Sequence, residues 1–122
     1  MDESSELYKL VARHAERPGF HISEIRLSQT QRVPWHHHSN IADTFYVLGG
    51  RIRITLQDPD EQIELGVGES WGPVLAGRPH LVTNAGTDPA SFLVLQGMGD
   101  YDFVPKDRLA RTRQERAVMR YP

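Results

Sequence analysis

The sequence predicts an all-β protein, and its apolar runs are arranged as in a sandwich or a small barrel. From about residue 20 to residue 103, short runs rich in Val, Ile, Leu and aromatic residues alternate with breaks rich in Gly, Pro, Asp and Asn. The runs are close together and evenly spaced. No internal repeat and no low-complexity linker interrupts the 122 residues, so we expect one compact domain.

Eight strands are predicted in this middle region, because each apolar run is short and ends at a turn sequence. They cover 20–27, 32–38, 43–48, 51–57, 62–65, 69–71, 80–84 and 91–96. The breaks between them include Gly49-Gly50 and Asp58-Pro59-Asp60, which are typical of tight turns. The barrel core is therefore expected over about 20–103.

The two ends of the chain have a different pattern. Near the N-terminus, four residues recur at helical spacing before a Pro-Gly break, which predicts a short helix over about 4–17. These residues are Leu7, Leu10, Val11 and His14. Beyond residue 105 the chain is densely charged with few apolar positions, and we expect a second helix over about 106–120.

The composition narrows the possible functions. The formal charge is −2, so no broad basic field is present to attract nucleic acid. The chain has no cysteine, which rules out disulfides and thiolate ligands. No apolar stretch approaches the roughly 20 residues that a membrane-spanning helix needs, and the acidic N-terminus does not resemble a signal peptide. We therefore expect a cytoplasmic protein that binds neither membrane nor nucleic acid.

Three consecutive histidines, His36 to His38, are the strongest functional signal. Side chains alternate along a strand, so His36 and His38 lie on one face, whereas Trp35 and His37 lie on the other. Asp43 follows shortly and can fold back beside them, and the distant His80 could supply a further ligand. Two or three imidazoles with a carboxylate are the ligand types of a site for a first-row transition metal. The alternative is that the histidines form a solvated polar strand.

The same residues carry a resemblance to the cupin superfamily. The first cupin signature is His-x-His, an acidic residue and a Gly, and the chain matches it with His36, His38, Asp43 and Gly50. The second signature ends in Gly, His and Asn, and it is matched at the right spacing by Gly77, His80 and Asn84. The two signatures occur in order and together cover about 30–84.

The resemblance implies an antiparallel jelly-roll β-barrel, here with short flanking helices. It also implies one divalent metal ion inside the barrel, held by His36, His38, His80 and Asp43. All-nitrogen and oxygen ligation suits zinc, iron, manganese or nickel alike. The alternation of side chains along the strands places several further residues toward the cavity, and we expect them to line a small-molecule pocket. These are Phe45, Val47, Val82, Asn84 and Gln96.

One departure from the cupin pattern bears directly on the chemistry. The family usually has Glu at the position of Asp43, whose side chain is one methylene shorter. Asp43 could therefore bind the metal directly, bind it through a water, or act as a supporting partner or acid/base group. His21 is a further, weaker candidate for the site, because the alternation of side chains along its strand places it toward the interior.

Three functions agree with this pattern. The first is a metal-dependent enzyme acting on a carbonyl- or enol-containing small organic substrate, as in cupin polyketide cyclases, dioxygenases and isomerases. The second is a non-catalytic small-molecule-binding module on the same barrel. The third is a degenerate barrel that serves only in assembly. Exposed strand edges, together with Tyr46 and Trp71, lead us to expect a homodimer.

Overall fold

The computed structural model of the chain describes residues 7–99 and 102–105. Within these residues the chain forms ten β-strands and no helix. The strands are β1 Lys9–Arg17, β2 Phe20–Leu27, β3 Arg32–His37, β4 Ala42–Gly49, β5 Ile52–Leu56, β6 Glu61–Leu65, β7 Ser70–Val74, β8 His80–Asn84, β9 Ala90–Gly97 and β10 Val104–Pro105. Accordingly, the described part contains no helix that could cross a membrane.

The strands form two antiparallel sheets of five strands each. One sheet has the order β1-β2-β9-β4-β7, and the other has the order β10-β3-β8-β5-β6. Strands that are consecutive in sequence often lie in opposite sheets, so the chain crosses between the sheets repeatedly. This is the jelly-roll barrel, and the predicted all-β fold class is confirmed.

All eight predicted strands are present in the structure. The strands predicted over 20–27 and 80–84 coincide with β2 and β8 from end to end. The largest difference is at β7, which was predicted to end at residue 71 but continues to Val74. Pro73 lies within this strand, which is at the edge of its sheet, where a missing N–H is tolerated.

The predicted N-terminal helix is wrong where the structure describes it, because Lys9–Arg17 is strand β1. This strand pairs with β2 along its length, but its register shifts between Leu10 and Ala12 and again between Arg13 and Ala15. The residues at helical spacing do not share a buried face, because Leu10 is partly buried whereas Val11 and His14 are exposed. Residues 4–6 and the predicted helix over 106–120 lie outside the described residues.

The hydrophobic core fills the space between the two sheets. Buried residues alternate with partly exposed ones along β9, where Phe92, Val94 and Gln96 are buried. The most deeply buried apolar side chains come from both sheets. They include Ile25, Leu27, Phe45, Val47, Ile52, Ile54, Leu56, Val82 and Phe92. Polar residues on the same inward face are concentrated at one end of the barrel, which is the candidate site.

Gly50 shows why the β4–β5 turn needs glycine. Its φ is +71°, a conformation that residues with a Cβ rarely adopt. A Cβ at this position would lie 2.7 Å from the carbonyl oxygen of Pro89 and 2.9 Å from the Cα of Ala90. The turn therefore packs backbone to backbone against the loop that precedes β9.

We expect Gly50→Ala to lower the free energy of unfolding by about 3 kcal/mol, since it combines an unfavourable φ with a backbone clash. Gly68→Ala is the matched control, because Gly68 has a similar φ of +81° but nothing lies within 4 Å of the position of its Cβ. It should cost only about 1 kcal/mol. Urea denaturation of the two variants measures the difference, and equal losses would show that the Pro89 contact is unimportant.

Candidate metal centre

His36, His38, Asp43 and His80 come together at one end of the barrel interior. Their side chains are almost fully buried, with exposed fractions of 1–3%. Each offers one ligand atom, and these four atoms all lie within 4.8 Å of one another. The convergence that the sequence predicted is therefore present.

The two sheets supply different parts of this cluster. β3 and β8 are neighbours, and their register places His36 directly opposite His80. His38 follows the end of β3, and Asp43 lies near the start of β4 in the opposite sheet. The alternation predicted for β3 also holds, since His36 and His38 are buried whereas Trp35 and His37 are partly exposed. The cluster thus spans the barrel from one sheet to the other.

Gly72 allows β7 to pass close to β4 beside Asp43. A Cβ on Gly72, whose φ is +149°, would lie 2.8 Å from the Cα of Thr44 and 2.9 Å from the carbonyl oxygen of Asp43. The β4–β7 pairing is irregular at this point, with a register shift between Asp43 and Phe45. Such irregularities re-aim a side chain. The local backbone therefore contributes to the placement of the Asp43 carboxylate.

A backbone carbonyl fixes the orientation of each imidazole. The Nδ1–H of His36 donates to the carbonyl oxygen of Pro34 at 2.7 Å, and that of His80 donates to Arg78 at 2.9 Å. The Nδ1–H of His38 donates to the carbonyl oxygen of Asp102. Because a carbonyl oxygen can only accept, the proton of each neutral ring must be on Nδ1. All three Nε2 atoms are then left as potential ligands, as is usual for metal-binding histidines.

The Asp43 carboxylate lies among these Nε2 atoms. Its Oδ2 is 3.1 Å from Nε2 of His38 and 3.1 Å from Nε2 of His80. Its Oδ1 accepts a hydrogen bond of 3.2 Å from the Gln96 side-chain amide. Asp43 therefore reaches the centre of the cluster despite being one methylene shorter than Glu.

The buried charges shift several pKa values. Burial raises the pKa of Asp43, but the nearby positive charge of His38 and hydrogen bonds from His38 and His80 outweigh it and hold that pKa well below its usual value. Burial lowers the pKa of His38, but the Asp43 carboxylate reverses this and raises it above 6.5. The pKa of His36 is well below 6.5, because of its burial and the neighbouring positive charges of His80 and His38.

This donor set fits a divalent metal ion. A carboxylate oxygen and an imidazole lone pair repel each other at 3.1 Å unless a proton or a metal ion lies between them. Donor atoms bound to one ion at about 2.0–2.2 Å are about 3–4.4 Å apart, so the cluster needs only small movements to close around an ion. Three neutral nitrogens and one anionic oxygen suit first-row metals.

Aromatic rings cover the cluster on two sides. The ring of Phe103 stacks on His36, with a centroid distance of 4.2 Å and an interplanar angle of 13°. Phe45 approaches His80 edge-on, at 6.3 Å between centroids. These contacts restrict the rings and keep bulk water away from the ligand atoms, which strengthens electrostatic interactions inside.

The segment 102–105 was not recognised as part of the site from the sequence. Asp102 supplies a carbonyl oxygen to His38, and its side chain accepts a hydrogen bond from the backbone N–H of Ser39 at 2.7 Å. Phe103 was expected only as the end of the barrel core. The one sequence signal was Phe103 itself, a large aromatic residue just before the densely charged tail. In the structure it is only 6% exposed.

The predicted pocket residues fall into two groups. Phe45, Val82 and Gln96 line a small interior cavity beside His36 and Asp43, with a free volume of about 10 Å³. Val47 and Asn84 do not line it. Val47 is buried in the hydrophobic core. The Asn84 side chain donates to the carbonyl oxygens of Leu27 and Asp88 instead, and so stabilises a turn.

The interior cavity has room for about one water molecule, whereas a larger cleft lies outside it. This cleft has a volume of about 360 Å³ and contains His21, the weaker site candidate. His21 therefore lies near the barrel end that carries the cluster, but it does not belong to the four-residue cluster.

The fold and the buried cluster together define a jelly-roll protein with a candidate metal centre. A family model described as the cupin domain matches residues 24–96, which is more than half of the chain. The chain therefore belongs to the cupin family. No curated protein matches its sequence.

Solved structures with the same fold are distant in sequence. A Klebsiella pneumoniae protein described as uncharacterized, with a double-stranded β-helix domain, has a TM-score of 0.72 and 18% identity, covering 88% of this chain and 90% of that one. The cupin domain of Cnp3 from Schizosaccharomyces pombe has a TM-score of 0.62 and 14% identity, covering 75% and 63%.

A third similar structure is an oxalate decarboxylase from Bacillus subtilis, which is described as having Mn(II) centres. Its TM-score is 0.65 and its identity 22%, and the match covers 72% of this chain but only 24% of that enzyme. At such identities these likenesses support the fold alone.

The raised pKa of His38 predicts a pH-dependent metal affinity. Below this pKa, Nε2 of His38 carries a proton that must leave before a metal binds, so affinity should rise with pH and level off above the pKa. We expect a loss of about tenfold per pH unit on the acidic side, since one proton is displaced. Competition with a chelator of known affinity from pH 5.5 to 8.5 measures this, and a flat profile would contradict it.

Proposed function

We propose that this protein is a metal-dependent cupin enzyme acting on a small organic substrate that contains a carbonyl or an enol. The observation that carries the proposal is the set of three buried imidazoles, each with Nδ1–H committed to a carbonyl, whose Nε2 atoms converge on one ionised carboxylate. A bound divalent ion would supply a Lewis acid that polarises a substrate oxygen or lowers the pKa of bound water. Zinc, iron, manganese and nickel all suit these donors.

The chain's own residues would set how such a centre works. His36, His38 and His80 are oriented by their Nδ1 hydrogen bonds, so their Nε2 atoms need only small movements to bind an ion. Asp43 contributes the only negative charge among the four residues of the cluster. Its carboxylate is the candidate proton acceptor beside a substrate oxygen, in addition to its candidate role as a ligand.

A second candidate function is a small-molecule-binding module without catalysis. It is favoured by the cleft of about 360 Å³, which has room for a small molecule but lies outside the buried cluster, whose own cavity is only about 10 Å³. Turnover separates the two candidates. The metal-loaded protein would be tested with β-dicarbonyl, polyphenol and sugar-acid compounds, and binding without conversion across the panel would favour the module.

Metal stoichiometry tests the centre itself. We expect the full-length protein, purified without a polyhistidine tag, to bind about one divalent ion per chain. His36→Ala, His38→Ala or His80→Ala should each reduce that binding at least about 100-fold, because each removes one ligand. Elemental analysis and titration with a metal-responsive dye would measure it.

His37→Ala is the matched control, since His37 lies between two of the proposed ligands in sequence but its side chain is partly exposed and outside the cluster. It should bind metal like the unmodified protein. Full retention of the metal in all three ligand variants would show that the proposed centre is wrong.

A further inference from the structure

The candidate metal centre is enclosed, so an ion needs a way in and out. The four side chains of the cluster are only 1–3% exposed, and the cavity beside them has a volume of about 10 Å³. A buried site exchanges its ion with solvent only when part of its cover moves. The segment 102–105, called the strap below, is one part of that cover.

One side chain of the strap covers two of the three imidazoles. The ring of Phe103 stacks on His36, with a centroid distance of 4.2 Å, and it meets His38 edge-on at 6.1 Å. Phe103 is itself only 6% exposed. This ring therefore lies between solvent and one side of the cluster.

Asp102 attaches the strap to the stretch between β3 and β4. Its backbone carbonyl accepts a hydrogen bond from Nδ1–H of His38. Its side-chain Oδ1 accepts a hydrogen bond of 2.7 Å from the backbone N–H of Ser39. Closing the strap therefore also orients one of the candidate ligands.

The other attachment of the strap is strand β10, which is short. It pairs with β3 at two positions only, Val104 opposite His37 and Pro105 opposite His36. Pro105 has no N–H to donate to this pairing. By contrast, β2 pairs with β9 along its whole length. Segments held by few hydrogen bonds open locally at a much lower cost in free energy than long paired strands.

The chain just before His80 is held more firmly than the strap. The guanidinium of Arg78 donates to the carbonyl oxygens of Gln57 and Pro59, at 3.1 and 2.7 Å, and to the Glu61 carboxylate at 3.1 Å. The backbone at this position is therefore fixed to the neighbouring turn. Of these two segments beside the cluster, the strap is the one that opens more easily.

We propose that residues 102–105 are a gate over the candidate metal centre. The strap opens to admit or release the ion, and it closes when Phe103 stacks on His36 and Asp102 accepts from His38. This rests on the proposed function, because it concerns the ion of the same centre. A gate changes the rates of uptake and release by the same factor, since it alters the path of the ion and not its ligands. It therefore protects a bound ion from competing chelators without raising the affinity.

The first test measures both rates on the full-length protein with Co²⁺, whose visible absorption reports its ligands. Release starts when the loaded protein is mixed with excess chelator, and uptake starts when ion-free protein is mixed with Co²⁺. Phe103→Ala should raise both rates at least about tenfold and leave the Kd within about threefold, because it removes the packing that closes the strap.

Asp102→Ala loosens the strap without touching a ring or a candidate ligand. It removes the hydrogen bond to Ser39, so both rates should rise roughly three- to tenfold. Phe20→Ala and Asp60→Ala are the matched controls. Phe20 lies on the outer face of β2 and Asp60 in the exposed β5–β6 turn, so the same two changes there should alter neither rate.

A reversible cross-link tests the gate in the opposite direction. Val104 and His37 lie directly opposite each other, at a separation that a disulfide can span, and the chain has no cysteine of its own. We expect the oxidised double variant His37→Cys, Val104→Cys to take up and release Co²⁺ at least about tenfold more slowly, since the bond restricts opening. Reduction with a phosphine should restore both rates.

The gate is wrong if Phe103→Ala accelerates release but not uptake, because the ring then contributes only to affinity. It is also wrong if the cross-linked protein exchanges Co²⁺ as fast as the reduced protein, and this measurement keeps the test decisive if Phe103→Ala does not fold. Unchanged rates in variants that still bind Co²⁺ would overturn the gate and leave the metal centre standing. An unmodified protein that binds no divalent ion would overturn both.

Discussion

The buried carboxylate of Asp43 is the constraint on which the rest of the site depends. An ionised group that is 2% exposed in a barrel interior is costly unless nearby charges and hydrogen bonds compensate it. Here the Gln96 amide donates to one oxygen, and the other lies 3.1 Å from Nε2 of both His38 and His80, where a proton or a metal ion between the atoms compensates the charge. The two imidazoles are themselves held by the carbonyls of Asp102 and Arg78. Parts of both sheets must therefore be correctly placed together for this single charge to be tolerated.

Strand pairing provides that placement. The β3–β8 register sets His36 against His80, and the β4–β9 register sets Asp43 against Gln96. The guanidinium of Arg78 anchors the chain just before β8, by donating to the carbonyl oxygens of Gln57 at 3.1 Å and Pro59 at 2.7 Å. Arg78, whose carbonyl oxygen accepts the hydrogen bond from His80, is therefore fixed to the β5–β6 turn. The barrel acts as a rigid support, so the donor atoms are organised before any ion binds.

The sequence predicted the strands and the inward histidines because both depend on a period of two, which is visible along the chain. The period of two is not clear at β1, whose pairing with β2 is irregular at two points and whose Leu10 and His14 are at helix-like spacing in the sequence. Other parts depend on the folded backbone and leave no local pattern. Three features of the site are of this kind. They are the carbonyls that orient the imidazoles, the stacking of Phe103 on His36, and the reach of Asp43. Asn84 is the opposite case. Its position in the motif is matched, but its side chain stabilises a turn and does not line the cavity.

The cavity beside the cluster is much smaller than the cleft outside the barrel interior. The apolar side chains beside His36 leave room for only about one water-sized group, so a substrate of the proposed enzyme would present one or two atoms to the centre while its body lies elsewhere. In the proposed enzyme, the donor set would determine what can be done to those atoms, and the cleft would determine which molecule delivers them. Because Gln96 contacts the carboxylate and lines the cleft, a change elsewhere in the cleft would then alter the choice of substrate without altering the ligands. Such a division allows one fold to carry many chemistries, since the cleft can vary while the buried charges that hold the centre together stay the same.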